Sequence, residues 1–318
     1  MSPGAALGFL PTDSFNVVVL IGVFVLISLG LHFTFGLLNV VNLAHGEFLL
    51  IGAYTAFQVQ EATGNVVLGI LLAPVVAGTV GILIERGILR PLYERPLDSL
   101  LATFGLAVII RQVVQLIYSA NPRTVQDAIG GSIAVAGFNV PWWRLVVVIA
   151  TVGLVALVSV ILARTSFGLH ARATVRNPAL AETMGINVGL MRAALFALGS
   201  AVAGLAGALL APINTLDPQF GLLFLVNAFL VVILGGQGSL RGLVIAGALL
   251  GGTLSILQFV ISTVYAQIIV LVIAILAVRL RPVLAARIAA YRDRRSPAQG
   301  PGPGSAGKAV TAGAPRHG

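Results

Sequence analysis

The chain contains no cysteine and very little charge. The first absence excludes disulfides, zinc–thiolate sites and thiol nucleophiles. The second sets the class. Only 9% of the 318 residues are charged and 58% are hydrophobic, where a soluble domain is about 25% charged. Lysine and arginine are missing altogether from residues 1–85. The first apolar run therefore lacks the basic start of a cleaved secretory signal, and the N-terminus is expected outside the cell. The alternating ten-residue stretches of a membrane barrel are missing too. Neither HExxH nor GxSxG occurs, and His32, His45, His170 and His317 are scattered, so no catalytic constellation, metal site or cofactor is expected. Gly302, Gly307 and Lys308 fit GxxxxGK, but Ala309 stands where a hydroxyl must hold magnesium and no strand leads in, which excludes a phosphate loop.

What the chain does contain is long apolar runs. Its mean hydropathy is +1.02. Runs fall at about 16–36, 40–59, 66–84, 99–118, 144–163, 191–211, 222–234, 242–260 and 264–280, and a helix of about 20 residues crosses a hydrocarbon core of ~30 Å. The seventh run is short enough for a half-helix or a re-entrant segment. The expected fold is an all-α, polytopic transmembrane helical bundle of eight or nine spans over residues 1–295. A Pro-, Gly- and Ala-rich tail at 296–318 is expected to be disordered.

Charge assigns the sides. One set of loops holds Arg86, Arg90, Arg95, Arg164, Arg172, Arg176 and Arg241, and the C-terminal end adds Arg279, Arg281, Arg287, Arg292, Arg294 and Arg295. The opposite loops hold only Arg123 and Arg144. The basic side is cytoplasmic, which puts the N-terminus out and the C-terminus in. This retention also explains the net charge of +9. Nucleic-acid binding is excluded, because aromatic residues do not interleave with the basic ones. Small residues recur four apart at Gly69, Ala73, Ala77 and Gly81, at Ser200, Gly204 and Ala208, and at Ala203, Gly207 and Ala211. Such stripes let helices approach closely in lipid.

Four places could carry function. Placing Asn42, His45 and Glu47 inside an apolar run is costly, about 2.5–3.5 kcal/mol for a central charge. They line a substrate path or form a structural hydrogen-bond cluster. Arg111 sits near the middle of the fourth run with Thr103 and Gln115 on its face, and it needs a partner, for which Glu47 is the candidate. That pair is either structural or in contact with substrate. Phe35-Gly36-Leu37-Leu38 with Val41-Asn42 recurs as Phe220-Gly221-Leu222-Leu223 with Val226-Asn227. The two copies are expected to run in opposite directions, as inverted repeats around a mid-membrane site do, which adds Asn227 to the path candidates. Gly235 to Gly242, GGQGSLRG, reads as a tight turn or a hinge.

The fourth place is the polar stretch 163–192. Arg176 precedes Asn177, which can cap a short helix; Pro178 suits its first position and Gly185 its end. Leu180 and Met184 share a face and Glu182 lies elsewhere around the turn. The helix inserts into a groove on a protein partner or rests on membrane lipid.

In FGLLNVVNLAHGEFLLIGAY at 35–54, ERPLDSLLATFGLAVIIRQ at 94–112, ARATVRNPALAETMGINV at 171–188, ALFALGSAVAGLAGAL at 194–209 and VVILGGQGSLRGLVIAGALLGG at 231–252, the chain resembles branched-chain amino acid ABC transporter permeases of the LivH type. That resemblance implies a non-enzymatic subunit of an ATP-driven importer in the bacterial inner membrane. It also implies a second permease subunit, separate ATPase subunits that hydrolyse ATP, and a periplasmic or lipid-anchored solute-binding protein. Asn177–Gly185 then corresponds to the family's coupling helix. Permeases for urea or short amides are similar in the PLDSLLATFGL stretch and form the alternative; a passive channel is a third reading.

Overall fold

The structure is a computed structural model, and it describes residues 10–38, 40–135 and 138–295. The tail expected to be disordered, 296–318, lies outside the described residues. Eleven α-helices and one β-hairpin follow in order: α1 Leu10–Leu31, α2 His45–Thr63, α3 Val66–Ile84, α4 Pro96–Tyr118, β1 Ser132–Val135, β2 Phe138–Pro141, α5 Trp142–Arg164, α6 Ser166–Arg176, α7 Pro178–Thr183, α8 Val188–Leu210, α9 Phe220–Gly235, α10 Leu240–Val260 and α11 Thr263–Arg295. A π-helical segment, His32–Leu37, extends α1, and Glu85–Leu89 with Arg90–Leu92 extends α3. The strands pair antiparallel, Ser132 opposite Pro141 and Val135 opposite Phe138. Residues up to Ala274 form one compact unit; from Ile275 the rest of α11 belongs to a second.

The all-α membrane bundle expected from hydropathy is what the structure shows. Among the described residues, seven helices are long and apolar enough to cross a bilayer. Two expected spans are not among them, and they differ for separate reasons. The run at 40–59 is shifted, because residues 40–44 are irregular and the helix is His45–Thr63; its 19 residues are long enough, but His45, Glu47, Gln58, Gln60 and Glu61 make it less apolar than a crossing helix. The run at 222–234 becomes α9, whose 16 residues span only about 24 Å.

Helix ends follow local chemistry. The side chains of Asn65, Asn177, Asn187 and Ser239 accept hydrogen bonds from backbone N–H groups in the first turns of α3, α7, α8 and α10. Gly64, at φ +72°, ends α2 in the left-handed conformation.

Small residues set the packing. α8 runs through the middle of the bundle against α1, α2 and α3. The stripe Gly69–Ala73–Ala77–Gly81 on α3 meets Ala56 of α2 and the Ser200–Gly204 face of α8. A Cβ on Gly52 would overlap the Gly204 carbonyl, and one on Gly207 would overlap the Leu49 carbonyl. The backbones therefore touch, and dispersion between close-packed chains holds helices that gain nothing from hydrophobic association in lipid. Large side chains fill the space left over, with Phe48 stacked edge-on to Phe196 at 5.9 Å. α4 and α5 lie outside this core with most of their surface uncovered; Leu116 is 84% exposed.

The bundle has two ends. At the hairpin end, Arg144 Nη1 donates to Asn16 Oδ1 at 2.8 Å, Trp143 Nε1 donates to the Leu209 carbonyl at 3.0 Å, and Arg123 forms an antiparallel bridge with Leu216. At the α7 end, the C-terminal part of α3 meets the start of α8, where Arg90 lies against Gly189. The GGQGSLRG stretch closes α9 onto α10: a Cβ on Gly235 would meet Gly242 backbone at 2.7 Å, and Gly236 and Gly238 have φ of +87° and +74°. It is a tight interhelical turn.

Candidate functional site

α2 begins in the middle of the bundle. His45 Nε2 lies 2.9 Å from the Ile27 carbonyl, and Ile27 is at the centre of the Phe15–Leu37 span. A carbonyl only accepts, so Nε2 carries the proton and Nδ1 is left as an acceptor. On the other flank, the Leu43 N–H donates to Thr103 Oγ1 at 3.2 Å, and Arg111 Nη2 donates to Glu47 Oε1 at 2.5 Å. Thr103 and Arg111 bracket the centre of α4. Tyr54 and Tyr118 then stack at 4.7 Å, so α2 and α4 run side by side in the same direction.

The pairing expected of Glu47 and Arg111 is present, and both charges come from separate helices. Glu47 is buried and Arg111 is 18% exposed. The Asn42 side chain folds back to accept from the Ala44 N–H at 3.0 Å. It thereby caps the irregular segment that breaks the apolar run. Several polar atoms stay without a protein partner: Asn42 Nδ2, His45 Nδ1, Glu47 Oε2 and Arg111 Nε. Each such group, removed from water and unpaired, costs about 1–3 kcal/mol. A buried cluster with spare donors and acceptors of both kinds can hold a polar solute or ordered water.

α9 starts at the same level. A Cβ on Gly46 would overlap the Gly221 carbonyl, and the reverse holds for Gly221 and Gly46. The first turns of α2 and α9 thus meet back to back, and α9 then returns toward the α7 end beside α10. Two helices, α2 and the shorter α9, start inside the bundle with their positive dipole ends together. The sequence echo places its copies differently. The first copy spans the π-helical end of α1 and the irregular segment, while the second lies wholly in α9. Asn42 and Asn227 are not brought together. Gln115 is exposed on α4, apart from the buried Thr103.

Asn227 instead lines a cavity of about 590 Å³ toward the hairpin end, between α1, α9 and α10. Its other polar groups, among them Asn16, Arg144, Asn214, Ser255 and Gln258, were not singled out by sequence reasoning. Arg144 offered a signal as one of only two basic residues on its side.

At the opposite end, α7 is held rigidly. Asn177 Oδ1 accepts from the Leu180 N–H at 3.1 Å, and Pro178 occupies the first turn. At the C-terminus the Ile186 N–H donates to the Ala181 carbonyl and the Gly185 N–H to that of Glu182, both at 3.0 Å, with Gly185 at φ +82°. This is the six-to-one and five-to-two pattern of a Schellman cap. Ala181 is buried beneath, while Leu180 is 57% and Met184 72% exposed. Glu182 and Arg176 are exposed as well. A two-turn helix capped at both ends presents an apolar pair and a carboxylate on a fixed knob.

Next to α7, Glu85 is fully buried and was missed by sequence reasoning, because it adjoins the topogenic Arg86. The Tyr93 hydroxyl donates to Glu85 Oε1 at 3.3 Å, and the Arg192 guanidinium lies 4.8 Å over the Tyr93 ring. Burial, and then the Glu85 carboxylate, push the Tyr93 hydroxyl upward, so it stays a neutral donor. These contacts tie the α3–α4 connection to the first turns of α8, directly after α7.

Residues 14–278 match the family described as branched-chain amino acid transport system / permease component. The chain is 27% identical over 284 residues to the high-affinity branched-chain amino acid transport system permease protein LivH of Escherichia coli (strain K12), covering 84% of this chain and 92% of that one. It is 30% identical over 280 residues to the probable branched-chain amino acid transport permease protein LivH of Methanocaldococcus jannaschii, covering 81% and 86%. It is 26% identical over 275 residues to the high-affinity permease protein BraD of Pseudomonas aeruginosa, covering 81% and 90%. No solved structure matches.

Proposed function

The chain belongs to the branched-chain amino acid transport system permease family, and from that premise we propose that it is the membrane-spanning subunit of an ATP-driven importer of branched-chain or other hydrophobic amino acids. The α7 end faces the cytoplasm and the hairpin end faces outward, so the N-terminus is outside and the C-terminus inside the inner membrane. Separate ATPase subunits grip α7. A second permease subunit completes the pathway against the uncovered apolar surface. A periplasmic or lipid-anchored binding protein delivers solute at the hairpin end.

The observation that carries this reading is α7: a doubly capped helix with Leu180 and Met184 held outward on a chain otherwise made for lipid. A rigid knob transmits displacement, whereas a frayed loop absorbs it. Closure of the ATPases pushes α7. The push passes through the short Asn187-capped link to α8, which packs on α1, α2 and α3. The Glu85–Tyr93–Arg192 contacts pass it also to the α3–α4 connection. Movement between α8 and its neighbours changes access to the centre, where α2 and α9 start. There the spare hydrogen-bonding groups of Asn42, His45 and Glu47 and the Glu47–Arg111 pair form the polar passage for a zwitterion, which needs both charge signs or oriented helix ends. Two stable packings of the bundle, biased by nucleotide, are what such a cycle requires.

The test is solute uptake into proteoliposomes holding the chain with its ATPase, partner permease and binding protein. Accumulation of leucine above the external concentration, dependent on ATP hydrolysis, supports the reading. Equilibration without nucleotide identifies a channel, and accumulation of urea in place of leucine identifies an amide permease.

A further inference from the structure

The cavity at the hairpin end contains a charge that neither topology nor packing explains. In the loops between the apolar runs basic residues are expected on the cytoplasmic side, and Arg123 and Arg144 are the two loop residues that break that pattern. Arg123 has a structural role: its backbone bridges Leu216 and its guanidinium lies 5.8 Å over the Phe57 ring. Arg144 is tied to the bundle by a single described side-chain bond, from α5 to α1. Among the described residues no carboxylate lies within ion-pair distance of it. It stands in the first turn of α5, where the helix dipole disfavours a cation. Its one described bond goes to Asn16 Oδ1 at 2.8 Å, and both residues line the cavity.

We propose that this cavity is an outer seat for an α-amino-acid zwitterion, separate from the Glu47–Arg111 centre, which does not line it. The proposal rests on reading the chain as an amino-acid permease. Among the described residues, Asn16 is the one side-chain partner of the Arg144 guanidinium, whose other N–H groups remain as donors, and Asn16, having used its oxygen, keeps its amide N–H₂. Together they form a donor-only corner for a carboxylate. Asn214 is arranged in the opposite sense. Its Nδ2 donates to the Leu210 carbonyl at 2.9 Å, which leaves Oδ1 to accept from an ammonium. Phe24, Phe224 and Leu254 supply apolar wall for an aliphatic side chain. A volume of about 590 Å³ lies within the range of small-molecule sites, about 300–1,000 Å³. Urea presents no anion to the donor corner, so the seat favours amino acids. Solute released by the binding protein rests here before the central passage opens.

The test uses the complete importer in proteoliposomes and photo-leucine, a diazirine analogue that retains ammonium and carboxylate. Irradiation should label peptides containing Phe224 or Leu254, and excess leucine should protect them. Arg144→Gln should lower labelling and leucine uptake about tenfold, the loss of one charge-assisted bond. Arg144→Lys should recover part of both. Leu254→Trp, which fills the cavity and leaves Arg144 in place, should abolish labelling too. Equal labelling in wild type and Arg144→Gln, or labelling confined to other segments, overturns the seat. A wild-type importer that accumulates no leucine overturns the amino-acid reading and the seat with it. Leucine accumulation at wild-type rate in Arg144→Gln overturns the seat alone.

Discussion

Replacing Glu47 and Arg111 by glutamine, singly and together, measures what the charge pair contributes at the centre of the bundle. Arg111→Gln leaves the Glu47 carboxylate 1% exposed with no cation. Removing one partner of a buried pair costs about 3–5 kcal/mol. The pair is not fully enclosed, Arg111 being 18% exposed, so the lower figure, about 3 kcal/mol, applies. Glu47→Gln is milder, because the amide oxygen still accepts from Nη2, and about 2 kcal/mol is expected. The double variant carries two neutral amides able to bond each other. Its loss should fall short of the sum by about 1.5–3 kcal/mol, the coupling of a close charge pair. Reversible unfolding in bicelles, followed by tryptophan fluorescence, reads all four stabilities. Single losses that simply add, within about 0.5 kcal/mol, would refute a functional ion pair and with it the claim that α2 is held to α4 by charge. Leucine uptake by the double variant separates the roles. Stability restored while uptake stays lost points to solute contact, and both restored together points to a purely structural pair.

Gly52→Val should destabilise the chain by at least about 1–3 kcal/mol, since its Cβ has no room beside the Gly204 carbonyl; a thermal midpoint equal to wild type would contradict the backbone contact between α2 and α8. Glu182→Lys reverses an exposed charge on α7 without disturbing either cap. It should uncouple uptake from ATP hydrolysis in proteoliposomes while the chain still folds and inserts, and unchanged uptake would argue against docking at this surface.

The fold was legible wherever a local rule acts alone. Asn177, Pro178 and Gly185 define α7 because caps are sequence-local chemistry, and the structure supplies each expected bond. Glu47 and Arg111 could be paired on paper because a charge in an apolar run demands a partner, and these two runs offered one each. The stripes Gly69–Gly81 and Ser200–Ala208 announced close packing, and they face each other. The start of α2 was not legible. Val40, Val41, Leu43 and Ala44 are as apolar as any helix, so hydropathy runs through them, while the break is set by the Asn42 side chain and by the contact of Gly46 with Gly221, 175 positions away. Glu85 was hidden by its neighbour: beside Arg86 it reads as a surface pair, and only the tertiary approach of Tyr93 and Arg192 reveals its burial. The hairpin-end cavity draws on residues from Asn16 to Gln267, and no periodicity encodes such an assembly.

The claim at the centre is that α7 takes up the stroke of a separate motor on the cytoplasmic side. The chain has no cysteine, so Met184→Cys introduces a single thiol at the most exposed apolar position of that knob. In the assembled importer, oxidation should join it to a thiol in the docking cleft of the ATPase, with a yield that changes between ATP-bound and nucleotide-free states. In intact cells an impermeant maleimide added outside should not reach it. Labelling of position 184 from outside, or no cross-link to the ATPase in any nucleotide state, would contradict the account.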